Sequence, residues 1–225
     1  MDHCDTLLSV DENLSSFGSP PDTFTFQWCM NAWGLESHSC GGLWDQQRAT
    51  CHHSLWAHNH TRNPKARPAL LDWVNNVTFD WDIGFIMGDS TSTADWKANV
   101  RGCYFVSPPG YTHSVALEKA RLQDANGLPN FSLYLDDCAM DGNGDGVLNV
   151  SKTGYALAAN SSFNANAAPF ATTGIPVTRD GYLTAYKKVL SAAGPLRLDA
   201  AATLRDELND TLARNVVAQR RHHIS

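Results

Sequence analysis

Apolar and polar positions along the first two thirds of the chain recur as a hexapeptide. Trp28–Trp33 (WCMNAW), Cys51–Trp56 (CHHSLW), Val74–Phe79 (VNNVTF) and Val100–Phe105 (VRGCYF) each end in an aromatic ring. Leu135–Met140 (LDDCAM) follows after the looser segment 107–130. The period lies in the low twenties. A β-sandwich would turn back in hairpins about every 8–12 residues. The longer period instead predicts an all-β body, a right-handed parallel β-helix over residues 1–176. Its coils stack at about 4.8 Å, so equivalent small, apolar and Asn side chains form ladders. Cys103 and Cys138 hold the fourth place of their hexamers, where their sulfurs either stack, bond or simply fill space as small apolar groups.

After the coils the period changes. Tyr182, Tyr186, Val189, Leu190 and Ala193 follow helical spacing and are closed by Gly194-Pro195. Leu204, Leu208 and Leu212 continue with period four to near Gln219. These predict two amphipathic helices in a C-terminal extension, 177–225, packed on the β body. Arg220–His223 read as a frayed tail.

The 225 residues, with 43% hydrophobic content, suffice for one substantial core. A net charge of −6 argues against a nucleic-acid partner. No apolar run is long enough to span a membrane. The opening Met1-Asp2-His3-Cys4 is polar, with no signal peptide. Cysteines at 4, 29, 40, 51, 103 and 138 suit an oxidising compartment and form no Cys-x-x-Cys pair. Sequons at Asn13, Asn59, Asn76, Asn130, Asn149, Asn160 and Asn209 point weakly the same way.

Against the acidic background stands a local basic cluster. Residues 62–67, Arg-Asn-Pro-Lys-Ala-Arg, place three cations around one proline directly after a repeat strand. That arrangement suits a polyanion, and an acidic polysaccharide is the polyanion expected; an ordinary solvated basic turn is the alternative.

The residues now support a resemblance. Asp2-His3-Cys4 through Asp11-Glu12-Asn13-Leu14-Ser15 resembles the "DHCS…DEnlS" strand and loop of the pectate lyase superfamily of parallel β-helix proteins (polysaccharide lyase family 1). Thr25–Cys29 resembles its "vTvqWC" strand, Cys51–Pro64 its "shHnlfAHNxsRNPr" and Asp72–Val77 its "dfvNNviynW". The tail Ala185–Gly194 with Leu198–Ala200 resembles "AYeaVLaxAGa…RDavDaRiv". The Ala57–Arg67 block is the most specific. In this family several coils precede the DHC segment, so the resemblance implies the C-terminal part of a lyase whose first coil would present open strand edges.

The resemblance implies a secreted, monomeric, Ca²⁺-dependent lyase that cleaves polygalacturonate by β-elimination. Arg62 matches the family's base, and Arg67 its carboxylate-binding arginine. Lys65 matches a position often held by Arg, and His58 is placed with these two on the substrate. Asp11 and Glu12 lie where the family has a calcium carboxylate. Two departures stand out. Ser15 occupies the region of a second carboxylate, and His38-Ser39-Cys40 occupies that of a substrate lysine. The reading from another class is a non-catalytic β-helix that binds acidic polysaccharide, or an inactive fragment.

Three further motifs are set aside. Asp141–Gly146 resembles an EF-hand loop, but Lys152 stands where a bidentate Glu is needed. Gly88-Asp89-Ser90 echoes an esterase block without its Asp-x-x-His partner. His52, His53, His58 and His60 suggest a metal cluster, yet His52 and His53 should alternate faces of a strand.

Overall fold

The computed structural model describes residues 1–17, 23–35, 38–67, 69–87, 96–119, 131–158, 163–172, 175–195 and 207–221. The Gly88-Asp89-Ser90 block, Leu204 and His222-His223 lie outside them. The chain winds as a parallel β-helix with three sheets. The first holds Asp5–Leu7 (β1), Met30–Ala32 (β4), Leu55–Ala57 (β7), Val77–Phe79 (β10), Tyr104–Val106 (β13) and Ala139–Asp141 (β16), with Lys152–Thr153 (β17) added antiparallel at its end. The second holds Thr23–Gln27 (β3), Arg48–His52 (β6), Leu70–Val74 (β9), Trp96–Arg101 (β12), Phe131–Asp136 (β15) and Asn164–Ala165 (β18). The third holds Ser16–Phe17 (β2), Leu43–Asp45 (β5), Lys65–Ala66 (β8), Phe85–Met87 (β11) and Leu117–Lys119 (β14).

Register explains why these short strands hold together. In the second sheet Phe26, Cys51, Trp73, Val100 and Leu135 lie one above another and point inward. Thr25, Thr50, Asp72, Asn99 and Tyr134 form the adjacent outward row. The core is aromatic. Trp44, Trp56 and Trp73, one from each sheet, meet with ring centroids 5.3–5.7 Å apart. Tilted and edge contacts of this kind add to the area that the rings bury.

The repeating unit is the corner between the second and first sheets. His3, Trp28, His53, Asn75, Gly102 and Asp137 each adopt a left-handed conformation there, with φ between 47° and 62°. Their successors Cys4, Cys29, Ser54, Asn76, Cys103 and Cys138 form a ladder. Backbone N–H groups donate across coils, from Cys4 to Cys29 Sγ (3.4 Å), Cys29 to Ser54 Oγ (3.1 Å), Ser54 to Asn76 Oδ1 (2.9 Å) and Cys103 to Cys138 Sγ (3.4 Å). Cys103 and Cys138 therefore stack without bonding, and all six thiols are free. The hexamers mark this corner in uneven register. The left-handed residue is first in Trp28–Trp33, second in Val74–Phe79 and third in the others. Gly102 is required at its corner, since a Cβ there would meet Asn75 Nδ2 and the Asp180 carbonyl.

Two helices cover the first sheet: Tyr182–Ala192 (α1) and Glu207–Val217 (α2). Tyr186, Val189, Leu212, Ala213 and Val216 pack with Met30, Leu55, Val77 and Tyr104. The period-four reading of α2 is corrected: Leu208 is exposed, and the buried face is Asn209, Leu212, Ala213 and Val216. Asn59, Asn76 and Asn209 are likewise buried in hydrogen-bonded positions. Those three sequons are closed to a glycan in the folded chain.

Candidate active site

The basic cluster lies on the link from the first sheet to the third. After β7, His58 turns left-handed and the chain crosses to β8 through Thr61, Arg62 and Asn63-Pro64. This link is laid on its neighbours as firmly as a strand. Glu12, Cys40 and Thr61 are bridged on successive coils. The Gly41 N–H donates to the Thr61 carbonyl (2.9 Å), and that of Gly42 to the Arg62 carbonyl (2.8 Å). Gly41 is a position of close approach, because a Cβ would lie 2.6 Å from the Arg62 carbonyl oxygen.

Four asparagines pin the link from within. Asn13 Nδ2 donates to Asn59 Oδ1 (3.0 Å), and Asn59 Nδ2 reaches Asn31 Oδ1 (3.0 Å) and Asn63 Oδ1 (3.1 Å). Asn31 Nδ2 donates to the Gly41 carbonyl (2.9 Å), and Asn63 Nδ2 to that of Ile83 (3.2 Å). Buried amides are tolerable because each finds partners. Sequence reasoning missed this network; its signal was the Asn at 31, 59 and 63 beside the cationic motif.

Arg62 reaches back across the intervening coil. Its Nη1 contacts Glu12 Oε1, and its Nη2 lies 3.3 Å from His38 Nε2. His38 Nδ1 is in turn 2.9 Å from Asp11 Oδ1. The Arg62 and Glu12 side chains are 23% and 13% exposed, so the pair is sheltered yet reachable. Cys40 sits beside Asp11 and His38, buried. Burial, and then Asp11, push its thiol up to about 12. On β8, Ala66 faces the core, so Lys65 and the following Arg67 project on the opposite side. Arg67 Nη1 lies 3.6 Å from Asp45 Oδ2. The structure thus brings Arg62, Glu12 and Asp11 together and sets Lys65 and Arg67 a few residues further along the same segment, on the outer face of the third sheet.

His58, expected at the substrate, lies elsewhere. It is completely buried, stacked on Trp33 at 6.1 Å, with Nδ1 2.7 Å from Asp80 Oδ2. Its ring packs on Trp33 and Phe79, in the layer between the first sheet and the helices. His60 stays at the surface, 3.1 Å from Asp82. The calcium expectation meets a similar obstacle. Ca²⁺ takes about 6–8 oxygen ligands. Among the described residues, Glu12 is engaged by Arg62, and Asp11 keeps company with an imidazole and a thiol. These donors do not compose a calcium site.

No family model matches the chain. Curated fungal proteins do. Over 156 residues, 68% of this chain and 34% of the relative, it is 35% identical to the Aspergillus terreus protein named Probable pectate lyase C. The Neosartorya fischeri protein of that name gives the same figures. That of Aspergillus fumigatus is 33% identical over 193 residues, 82% of this chain and 43% of the relative. The chain is a relative of the pectate lyases. It spans about a third of the length of the first of them.

A cleft of about 760 Å³ opens on the second sheet. Thr25, Trp28, Thr50, His52, His53 and Asp180 are among its lining residues, and none of the expected site residues is. The two histidines do not alternate as expected. β6 ends at His52, and His53 turns left-handed beneath the Trp28 ring at 4.4 Å. Their Nδ1 atoms lie 3.0 Å apart, with Gln27 Oε1 2.9 Å from His52 Nε2 and Asp180 Oδ2 3.1 Å from His53 Nε2. Burial, reinforced by His53, lowers His52 to about 4. Burial also lowers His53, against the pull of Asp180.

Proposed function

We propose that the chain carries the reacting edge of a secreted pectate lyase-like enzyme acting on polygalacturonate. The observation that carries the reading is the grouping of Arg62, Lys65 and Arg67 along one pinned segment that enters the third sheet, in a relative of the pectate lyases. A uronate carboxylate docks on Arg67 through paired N–H···O bonds, with Lys65 adding charge. Drawing negative charge from that carboxylate acidifies the neighbouring C5–H, and the same cations stabilise the enolate-like charge that develops. Arg62, once free of its proton, takes the C5 proton. The C4–C5 double bond forms as the C4–O bond breaks, and the departing sugar oxygen takes a proton from solvent.

Arginine holds its proton to above about pH 12, so the step needs surroundings that disfavour the cation. Glu12 does the reverse in the resting site, and the pair must open before Arg62 can act. That contact favours a second reading, a non-catalytic β-helix that binds acidic polysaccharide. Kinetics on polygalacturonate test the first. Arg67→Ala should raise KM about tenfold or more with a smaller change in kcat, as expected for a residue that holds substrate. A change in kcat alone would count against the docking role. Binding with no unsaturated product from the wild-type chain would favour the second reading.

A further inference from the structure

We propose that Asp11, His38 and Cys40 form a binding site for a borderline-soft divalent cation, of the Zn²⁺ type, beside Arg62. One ligand atom from each lies within 4.8 Å of the other two. Three ligands of one tetrahedral zinc sit roughly 3.3–3.8 Å apart, so small side-chain movements close the set. A carboxylate oxygen, an imidazole nitrogen and a thiolate sulfur are a donor set for Zn²⁺ or Co²⁺, not for the hard cations Ca²⁺ and Mg²⁺.

The frame is prepared. Asp11 belongs to one coil, while His38 and Cys40 belong to the next. The Cys40 N–H donates to the Asp11 carbonyl (3.2 Å), and Cys40 is bridged to Glu12. Two of the three ligands are therefore fixed by backbone pairing, and Cys40 supplies a buried inner wall. Asp11 and His38 are 59% and 55% exposed, which leaves an entry path and a fourth position for water or a substrate oxygen.

A consequence for Arg62 rests on the lyase reading; the site itself does not. Coordination through His38 Nδ1 leaves a proton on Nε2, which now faces the Arg62 Nη2 donor 3.3 Å away. Two donors cannot share that contact, so it opens. The added positive charge also draws Glu12 away from Arg62, and the lyase reading needs that pair to open.

Co²⁺ titration of the full metal-free chain tests the site without substrate. The expected result is one Co²⁺ per chain, with a thiolate-to-cobalt charge-transfer band and intense tetrahedral d–d absorption. Zn²⁺ should displace it, and excess Ca²⁺ should not. His38→Ala, at an exposed position, should weaken binding by more than the roughly 10–100-fold that outer-shell losses cost. Cys40→Ser should abolish the charge-transfer band. Weak octahedral absorption in the wild-type chain, displacement by Ca²⁺, or an affinity unmoved by His38→Ala would each overturn the proposal. Failure of the lyase reading would instead appear as absent product from a chain that still gives the cobalt spectrum.

Discussion

At the scale of single residues, charge was easier to read than direction. Arg62, Lys65 and Arg67 stood out because three cations in six positions of an acidic chain need a reason. The partner of Arg62 was hidden, because Glu12 is fifty positions earlier and becomes a neighbour only when three successive coils stack. His58 was misplaced because its ring is covered by packing on Trp33 and Phe79, contacts that a sequence does not display. The same holds for His53. Its corner geometry brings it onto His52, and burial lowers both rings. The unfolded chain therefore takes up protons before the folded one. This contribution to stability is fully present above about pH 6.5 and is lost as pH falls through the window to about 4. The melting temperature should drop across that window, and His52→Gln should flatten the drop. An identical slope in the variant would assign the acid sensitivity to other groups.

At the scale of elements, the repeat was legible because each coil needs an inward row of apolar residues. Cys51, Val100 and Leu135 supply it in three of the hexamers. The exact corner was less legible, since histidine, tryptophan, asparagine, glycine and aspartate all serve as its left-handed residue. Helix α1 matched its pattern because Tyr186, Val189 and Ala193 are buried. Helix α2 shows the limit of counting leucines. Leu212 is fully buried, while Leu208 is 41% exposed. Urea unfolding should distinguish them. Leu212→Ala should cost about 2–5 kcal/mol, and Leu208→Ala should stay within about 0.5 kcal/mol. Equal losses would show that α2 does not dock by the face described.

At the scale of the whole molecule, the fold separates support from function. The helices cover the first sheet, and the Asn network locks the link that leaves it. The half-buried cationic side chains then emerge where the chain enters the third sheet. The parallel β-helix was visible in the repeat, and the lyase kinship in the Ala57–Arg67 block. The cation chemistry was not, because the neighbours of Asp11 come from the next coil and bring nitrogen and sulfur instead of oxygen. The most direct test of the whole account is the ultraviolet absorbance of unsaturated uronide released from polygalacturonate, compared between the wild-type chain and Arg62→Ala. The account predicts a rising signal from the wild type and a loss of at least about a hundredfold in the variant, the scale of a general base. Equal release by the two would contradict the assignment of Arg62. No release by a folded wild-type chain would contradict the claim that this chain carries a working reacting edge.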